Sequence, residues 1–168
     1  MLRACREGTA EPDRGEDSPM NDVIIAPAQA ADLDIVEAFL EREHLPLAGL
    51  HEHPQHMFVA RAGNRIVGCA SLELYNDSAL LRSVAVDAEY RGSGIASDLT
   101  RAALRLAARR AVSTVYLLTT TAERFFPRFG FEVVDRADVP PALRMSAEFA
   151  QACPSSAFIM RKFVTSPT

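Results

Sequence analysis

A glycine-rich turn at residues 91–96 is the feature of this sequence that most constrains its fold. The alternating apolar run before it, residues 80–86, predicts a strand, and the amphipathic stretch of residues 95–110 predicts a helix. The first N–H groups of a helix have no intrahelical partner, and the helix dipole places partial positive charge there. Gly92 and Gly94 carry no Cβ, so an anion can approach the main chain closely. The order strand, turn, helix therefore predicts a phosphate-binding site.

Two other kinds of nucleotide site do not fit this turn. A P-loop needs a lysine directly after its second glycine, but the one lysine of the chain, Lys162, is far from any glycine turn. A dinucleotide-binding turn needs a third glycine where this chain has Ser97. A turn that only joins a strand to a helix stays open as an alternative on spacing alone.

The wider sequence around the turn resembles a known family. Residues 84–96, Val-Ala-Val-Asp-Ala-Glu-Tyr-Arg-Gly-Ser-Gly-Ile-Ala, resemble motif A of the GNAT N-acetyltransferases. Residues 122–131, Ala-Glu-Arg-Phe-Phe-Pro-Arg-Phe-Gly-Phe, resemble the second signature of that family, in the expected order and separation. The resemblance implies an acetyl-CoA-dependent N-acetyltransferase with an α+β fold. Its sheet would be mixed, mostly antiparallel, splayed between two strands and flanked by helices.

The composition fits one globular domain. The chain has 168 residues, of which 48% are hydrophobic and 24% charged. Its formal net charge of −4 argues against a nucleic-acid partner, which would need a basic surface. The sequence shows no apolar run of transmembrane length and no signal-peptide core, so a cytoplasmic protein without a membrane partner is expected. Residues 1–19 are polar and are expected to be disordered, and residues 20–168 to form the N-acetyltransferase domain.

Apolar periodicity predicts the order of the elements within this domain. Strands are expected at residues 23–26, 57–62, 65–75, 80–86, 114–119, 131–135 and 156–164. Helices are expected at residues 30–43, 95–110 and 121–129, and from the prolines at 140 and 141 to residue 152.

The resemblance implies how a co-substrate would bind. In the family, acetyl-CoA lies between two splayed neighbouring strands, which here would be residues 80–86 and 114–119. The pantetheine arm would pair with the main chain of the first strand, and the pyrophosphate would take N–H groups of the turn. The Arg91 guanidinium either reaches the phosphates or is only solvated. The expected acetyl-CoA-binding residues are Val84, Ala85, Val86, Arg91, Gly92, Ser93, Gly94, Ile95, Ala96 and Phe126, with no metal.

Acetyl transfer to an amine needs a proton acceptor, because an ammonium group is not a nucleophile. Glu73 is the candidate, since it alternates with apolar residues on a central strand, where burial would raise the pKa of its carboxyl group. A glutamate at the rim of the sheet is the alternative. Phe126 replaces the Tyr that protonates the leaving thiolate in many family members. Tyr75 is therefore the candidate acid, unless the thiolate leaves unaided.

The substrate-binding candidates lie on the same two strands. Strict alternation places Arg82 on the face of Val84 and Val86, beside the expected acetyl-CoA. There Arg82 either grips an acidic group of the substrate or pairs with a structural carboxylate. Ser83, Thr119 and Thr120 would add hydroxyl groups that hold a small polar ligand.

A narrower similarity bears on the substrate. Residues 80–86, 117–122, 135–140 and 153–157 look like the arsinothricin and phosphinothricin N-acetyltransferases of bacterial arsenic-resistance clusters. This similarity implies acetylation of the α-amino group of a small acidic amino acid or analogue, glutamate included, as a resistance function. Acetylation of a protein or peptide amine stays open, as does an acyl-CoA-binding sensor without turnover. A homodimer would be common for such a protein.

Four histidines, His44, His51, His53 and His56, lie close together in one segment with several glutamates. Their spacing matches no standard metal site, so a solvated loop is expected. A pH-sensitive cover over the substrate is the alternative.

Overall fold

A computed structural model describes residues 22–52, 56–152 and 155–165. The expectation that residues 1–19 are disordered lies outside these ranges. The strands are β1 (Val23–Pro27), β2 (Met57–Ala62), β3 (Arg65–Tyr75), β4 (Ser78–Val86), β5 (Thr114–Thr119), β6 (Glu132–Val134) and β7 (Phe158–Phe163). The α-helices are α1 (Leu33–Arg42), α2 (Ile95–Arg109) and α3 (Pro141–Arg144). A wider helical segment, Glu148–Ala152, follows α3.

The strands form one sheet in the order β1-β2-β3-β4-β5-β7-β6. The pair β4–β5 is parallel, and every other neighbouring pair is antiparallel. The predicted α+β fold with a mixed, mostly antiparallel sheet is therefore confirmed. The parallel step needs a crossover between β4 and β5, and α2 provides it.

One helix covers each face of the central strands. On one face α2 packs against β2, β3 and β4, with Leu99 and Ala103 fully buried. On the other face Val36, Phe39 and Leu40 of α1 close a second apolar cluster. Because both faces are covered, β3 and β4 are buried along most of their length, as their apolar sequences indicate. No helix in the described part of the chain is both long and apolar enough to cross a bilayer.

The predicted helix at residues 121–129 is wrong in extent. Only Phe126–Phe129 is helical, as a single 3₁₀ turn. The Thr119 hydroxyl oxygen accepts the N–H of Ala122 over 2.9 Å, which holds the start of this segment in a turn. Pro127 lacks the N–H that a longer helix would use.

The predicted continuous helix from residue 140 to residue 152 is also wrong, because it is broken after α3. The Ser146 hydroxyl oxygen accepts the N–H of Phe149 over 3.3 Å, which offers the backbone an alternative to helix continuation. The second helical segment therefore begins separately, at Glu148.

A β-bulge interrupts β4 at Ser83, whose φ is 56°. Ser71 of β3 pairs with Arg82, but Cys69, only two residues away, pairs with Ala85. One residue of β3 thus faces two residues of β4. The buried Cys69 thiol donates to the Ser83 carbonyl over 3.2 Å, and burial raises the pKa of that thiol to about 12.

The bulge changes which side chains share a face of the sheet. Ala85 belongs to the apolar cluster beside α1, whereas Val86 and Val84 pack in the cluster beneath α2. Arg82 lies on the same side as Ala85, because the extra residue reverses the alternation between them. The expectation that Arg82 shares a face with Val84 and Val86 is therefore wrong.

Candidate active site

Strands β4 and β5 separate toward their C-terminal ends. Their pairing begins at Ser78 and Thr114 and stops at Leu81 and Leu117, although β4 continues to Val86. Within the described chain, the β5-facing main-chain groups of β4 beyond Leu81 therefore have no partner on β5. A cavity of about 770 Å³ lies at this opening. The predicted splay between the two strands is confirmed.

The cavity is lined by both separated strands, the start of α2, the segment after β5 and the segments around residues 44–46 and 148. The sequence-predicted site residues that line it are Arg82, Ser83, Val84, Ala96, Thr119, Thr120 and Phe126. Phe126 is buried and packs edge-on against Phe125 and Phe131, with ring centroids 5.0 and 5.8 Å apart. The wall near it is therefore aromatic.

The glycine turn has the geometry of an anion site. Gly92 and Gly94 have φ values of 78° and 88°, which L side chains rarely adopt. Gly94 is the N-cap of α2 and has no side chain to bond the free N–H groups of the first turn. A Cβ at either glycine would meet no described atom within 4 Å, so the space above the turn is open. Free donors and open approach fit a diphosphate.

The side chains around the turn contact other parts of the chain. Ser93 bonds the Tyr90 carbonyl through its hydroxyl group. Arg91 forms an ion pair with Glu43 at the end of α1, and its Nε donates to the Val86 carbonyl over 3.1 Å. Arg91 is thus not simply solvated, because it has two partners within the chain. Ala85, Val86 and Ile95 are buried in the two apolar clusters, so only their main chain is left to serve a ligand.

The two catalytic candidates from the sequence are not among the described residues that line the cavity. Glu73 is 2% exposed, and its two carboxylate oxygens accept hydrogen bonds from Arg82 and from the Tyr75 hydroxyl, each over 2.7 Å. Burial, and then the bond to Glu73, raises the pKa of Tyr75 above its ordinary value. Glu73 lies beside Arg82, and Tyr75 lines a separate opening together with Glu52 and Ser146.

Arg82 is held by several groups at once. Besides Glu73, it donates to the Ala48 carbonyl over 2.5 Å and to the Pro46 carbonyl over 3.1 Å. Its Nε lies 3.1 Å from a carboxylate oxygen of Glu148, and its side chain is 1% exposed. In this arrangement Arg82 pairs with carboxylates of the chain itself, as in the second of the two alternatives that the sequence left open.

Glu148 is a site residue that the sequence analysis missed. It lines the cavity and is 8% exposed. Its Oε2 is close to Arg82 Nε but has no aligned hydrogen-bond donor among the described residues. Burial raises the pKa of Glu148 to about 7; the nearby Glu73 adds to the rise and Arg82 opposes it. The available sequence signal was a glutamate two residues after Ser146, the serine that breaks the helix.

The histidines that the structure describes differ in their surroundings. His44 lines the cavity, whereas His51 lies at the surface, 3.1 Å from Glu37 of α1. His53 lies outside the described residues. Among the residues that are described, no group of three or more histidine, cysteine, aspartate or glutamate side chains is placed to hold a metal.

The comparisons with known proteins agree with this geometry. Residues 53–133 match the family model described as an acetyltransferase (GNAT) domain. The chain is 31% identical over 90 residues to an uncharacterized N-acetyltransferase of Chlorobaculum tepidum, covering 53% of this chain and 57% of that protein. It is 33% identical over 97 residues to an amino-acid acetyltransferase of Mycobacterium tuberculosis, covering 55% of each. The chain thus spans little more than half the length of these relatives.

A solved structure shows the same fold. The N-acetylglutamate synthase from Neisseria gonorrhoeae, complexed with coenzyme A and N-acetyl-glutamate, superposes with a TM-score of 0.73 at 19% identity. The match covers 85% of this chain and 35% of that chain.

Proposed function

Because residues 53–133 match the model of the GNAT acetyltransferase domain family, we propose that this protein transfers the acetyl group of acetyl-CoA to the amino group of a small amino acid. The observation that carries the proposal is the separation of β4 from β5 directly above the glycine turn. The names of the relatives agree: the M. tuberculosis protein is an amino-acid acetyltransferase, and the N. gonorrhoeae enzyme was solved with N-acetyl-glutamate.

The residues at the opening fit acetyl-CoA. A pantetheine arm is an extended chain with two amides, and the unpaired main-chain groups of β4 beyond Leu81 can bond it as an added strand would. The open N–H groups at residues 92–96 suit a diphosphate. Arg124 and Arg128 line the same cavity and add positive charge for phosphate groups.

For the transfer itself, the main task of this chain is to place the amine next to the thioester. The amine nitrogen attacks the thioester carbonyl carbon, a C–N bond forms, the C–S bond breaks, and sulfur leaves with the bonding electron pair. A free main-chain N–H of β4 near Val84 would stabilise the developing charge on the carbonyl oxygen. The nitrogen loses its extra proton to solvent as the amide forms, and the thiolate takes a proton from solvent.

We propose further that the acceptor is an acidic amino acid or analogue, such as glutamate, phosphinothricin or arsinothricin, and that acetylation serves resistance. The support is the similarity of residues 80–86 and 117–122 to acetyltransferases of that kind, together with the basic side chains His44, Arg124 and Arg128 at the cavity. We do not propose that Arg82 binds the acidic group of the substrate, because its donors already bond two carboxylates and two carbonyl groups.

One panel assay tests these proposals. Acetyl-CoA is incubated with the protein and with glutamate, glutamine, phosphinothricin, arsinothricin or short peptides, while thiol release is followed and acetylated products are identified by mass. Faster acetylation of the acidic amino acids than of glutamine supports both the amino-acid acceptor and its acidic character. Acetylation of peptides alone contradicts the small-molecule acceptor. Coenzyme binding with no release from any acceptor would identify a sensor.

A further inference from the structure

Arg82, Glu73 and Glu148 form a buried cluster at the wall of the cavity, which we call the charged triad. The Arg82 guanidinium lies 2.7 Å from Glu73 and 3.1 Å from Glu148. One positive charge therefore faces two carboxyl groups, so the triad carries a net negative charge when both carboxyl groups are ionised. Buried charge of this kind costs free energy, and protonation of one carboxyl group relieves it.

The two carboxyl groups of the triad are not equivalent. Both oxygens of Glu73 accept hydrogen bonds, from Arg82 and from Tyr75, and Glu73 does not line the cavity within the described structure. Glu148 does line the cavity, and its Oε2 has no hydrogen-bond partner among the described residues. A proton that arrives from the cavity therefore meets Glu148 first.

We propose that Glu148 accepts the proton that the substrate ammonium loses before attack. This inference rests on the proposed function. The N–H bond of the ammonium breaks, its electron pair stays on nitrogen, and the proton binds a Glu148 carboxylate oxygen. The nitrogen lone pair then attacks the thioester, the nitrogen loses its second proton to solvent as the amide forms, and Glu148 later releases its own proton to solvent. Glu73 and Arg82 act through Glu148 and are positioning residues.

The charges around Glu148 suit this task. Burial and the negative charge of Glu73 raise its pKa to about 7, and Arg82 opposes the rise. The other titratable or charged side chains at the cavity are His44, Glu123, Arg124 and Arg128. A proton acceptor works best when its pKa lies near the operating pH, because it is then largely ionised yet still basic.

The test is the pH profile of kcat/KM for acetyl transfer by wild type and three variants. Wild type should rise with pH to a plateau with an inflection near pH 7. Glu148→Gln should abolish that inflection and lower kcat by about 10²- to 10⁴-fold, while the Kd for acetyl-CoA stays within about twofold. Glu73→Gln should move the inflection to lower pH, because it removes a charge that raises the pKa of Glu148.

Glu123→Gln is the matched control, since Glu123 also lines the cavity but lies outside the triad. It should leave the inflection in place. If Glu148→Gln fails to fold, Glu148→Asp takes its place and should keep an inflection with a reduced kcat. Normal transfer and an unchanged inflection in Glu148→Gln would overturn the role of Glu148 alone. Absence of transfer by wild type to any amine would overturn the proposed function as well.

Discussion

Arg82 and Glu73 form an ion pair, with 2.7 Å between Nη1 and Oε1, and both side chains are almost wholly buried. They meet because the bulge at Ser83 leaves Arg82 on the α1 side of the sheet, two rungs along the same face from Glu73. The pair also anchors the segment before residue 50, since Arg82 bonds the carbonyl groups of Pro46 and Ala48. Arg82 therefore holds Glu73, Glu148 and the segment of residues 46–48 together at the wall of the cavity.

Removal of Arg82 should destabilise the fold strongly. Arg82→Met leaves two buried carboxyl groups without their cation, which we expect to cost about 3–5 kcal/mol of unfolding free energy. Adding Glu73→Gln to that variant should restore part of the loss. Urea unfolding monitored by circular dichroism measures both. Arg101→Met, which breaks an exposed pair with Asp98, is the control and should change stability by less than about 1 kcal/mol. Equal losses in the two single variants would refute the buried network.

Gly94 should matter for coenzyme binding beyond its effect on stability. Gly94→Ala forces an alanine into a φ of 88°, at a cost of about 1–2 kcal/mol, and puts a methyl group where a diphosphate would approach. Gly63→Ala is the matched control, because Gly63 also has a positive φ and open space around it but lies in the β2–β3 turn. Calorimetry should show weaker coenzyme A binding for Gly94→Ala only, with pantetheine binding unaffected in both. Equal affinity in the two variants would argue against the turn as the diphosphate site.

Stability should respond to Glu148 in a pH-dependent way. The pKa of Glu148 is raised from 4.5 to about 7, so the folded state binds this proton more tightly than the unfolded chain does. Its contribution is therefore fully present below about pH 4.5 and is lost as pH rises through about 7. Relative to wild type, Glu148→Gln should gain on the order of 2–3 kcal/mol between about pH 5 and about pH 8. Urea unfolding across this range measures the gain, and a constant difference would contradict it.

Phe126 should not limit the departure of the thiolate. A thiol with a pKa of about 8.5 is a tolerable leaving group, so Phe126→Tyr should change kcat by less than about tenfold. An increase of more than about 10²-fold would show instead that the site lacks an acid. Phe126→Ala should cost about 3–5 kcal/mol of stability, because Phe126 is buried against Phe125 and Phe131. Steady-state assays of thiol release measure the effect on kcat, and urea unfolding measures the effect on stability.

Much of the fold could be predicted from local sequence. Hydrophobic periodicity located α2 and the long strands to within a few residues, and β5 agrees at both ends. The glycines at 92 and 94 indicated the tight turn, because few other residues adopt its φ values. These features depend on a few neighbouring residues, which is the range over which sequence patterns are informative.

The rest of the site depends on contacts between distant parts of the chain, which no local sequence pattern predicts. The bulge at Ser83 rests on a register between two strands, and the break before Glu148 rests on one serine hydroxyl group. The sequence left open whether Glu73 is buried or lies at the rim of the sheet. The structure shows it buried, and the sequence could not show that Arg82 and Tyr75 occupy both of its oxygens. Glu148 reaches the cavity only through tertiary packing.

The extra residue in β4 has a consequence for how this protein tolerates change. The strand consists of two segments that alternate out of phase, one carrying Arg82 and the other carrying Val84 and Val86. Deleting Ser83 would bring the segments back into phase and turn the valines from the face covered by α2 to the face covered by α1, so that half the strand would lose its packing partners. We therefore expect insertions and deletions to be tolerated in the surface loops. At Ser83 they should prevent correct folding, even though no side chain is substituted.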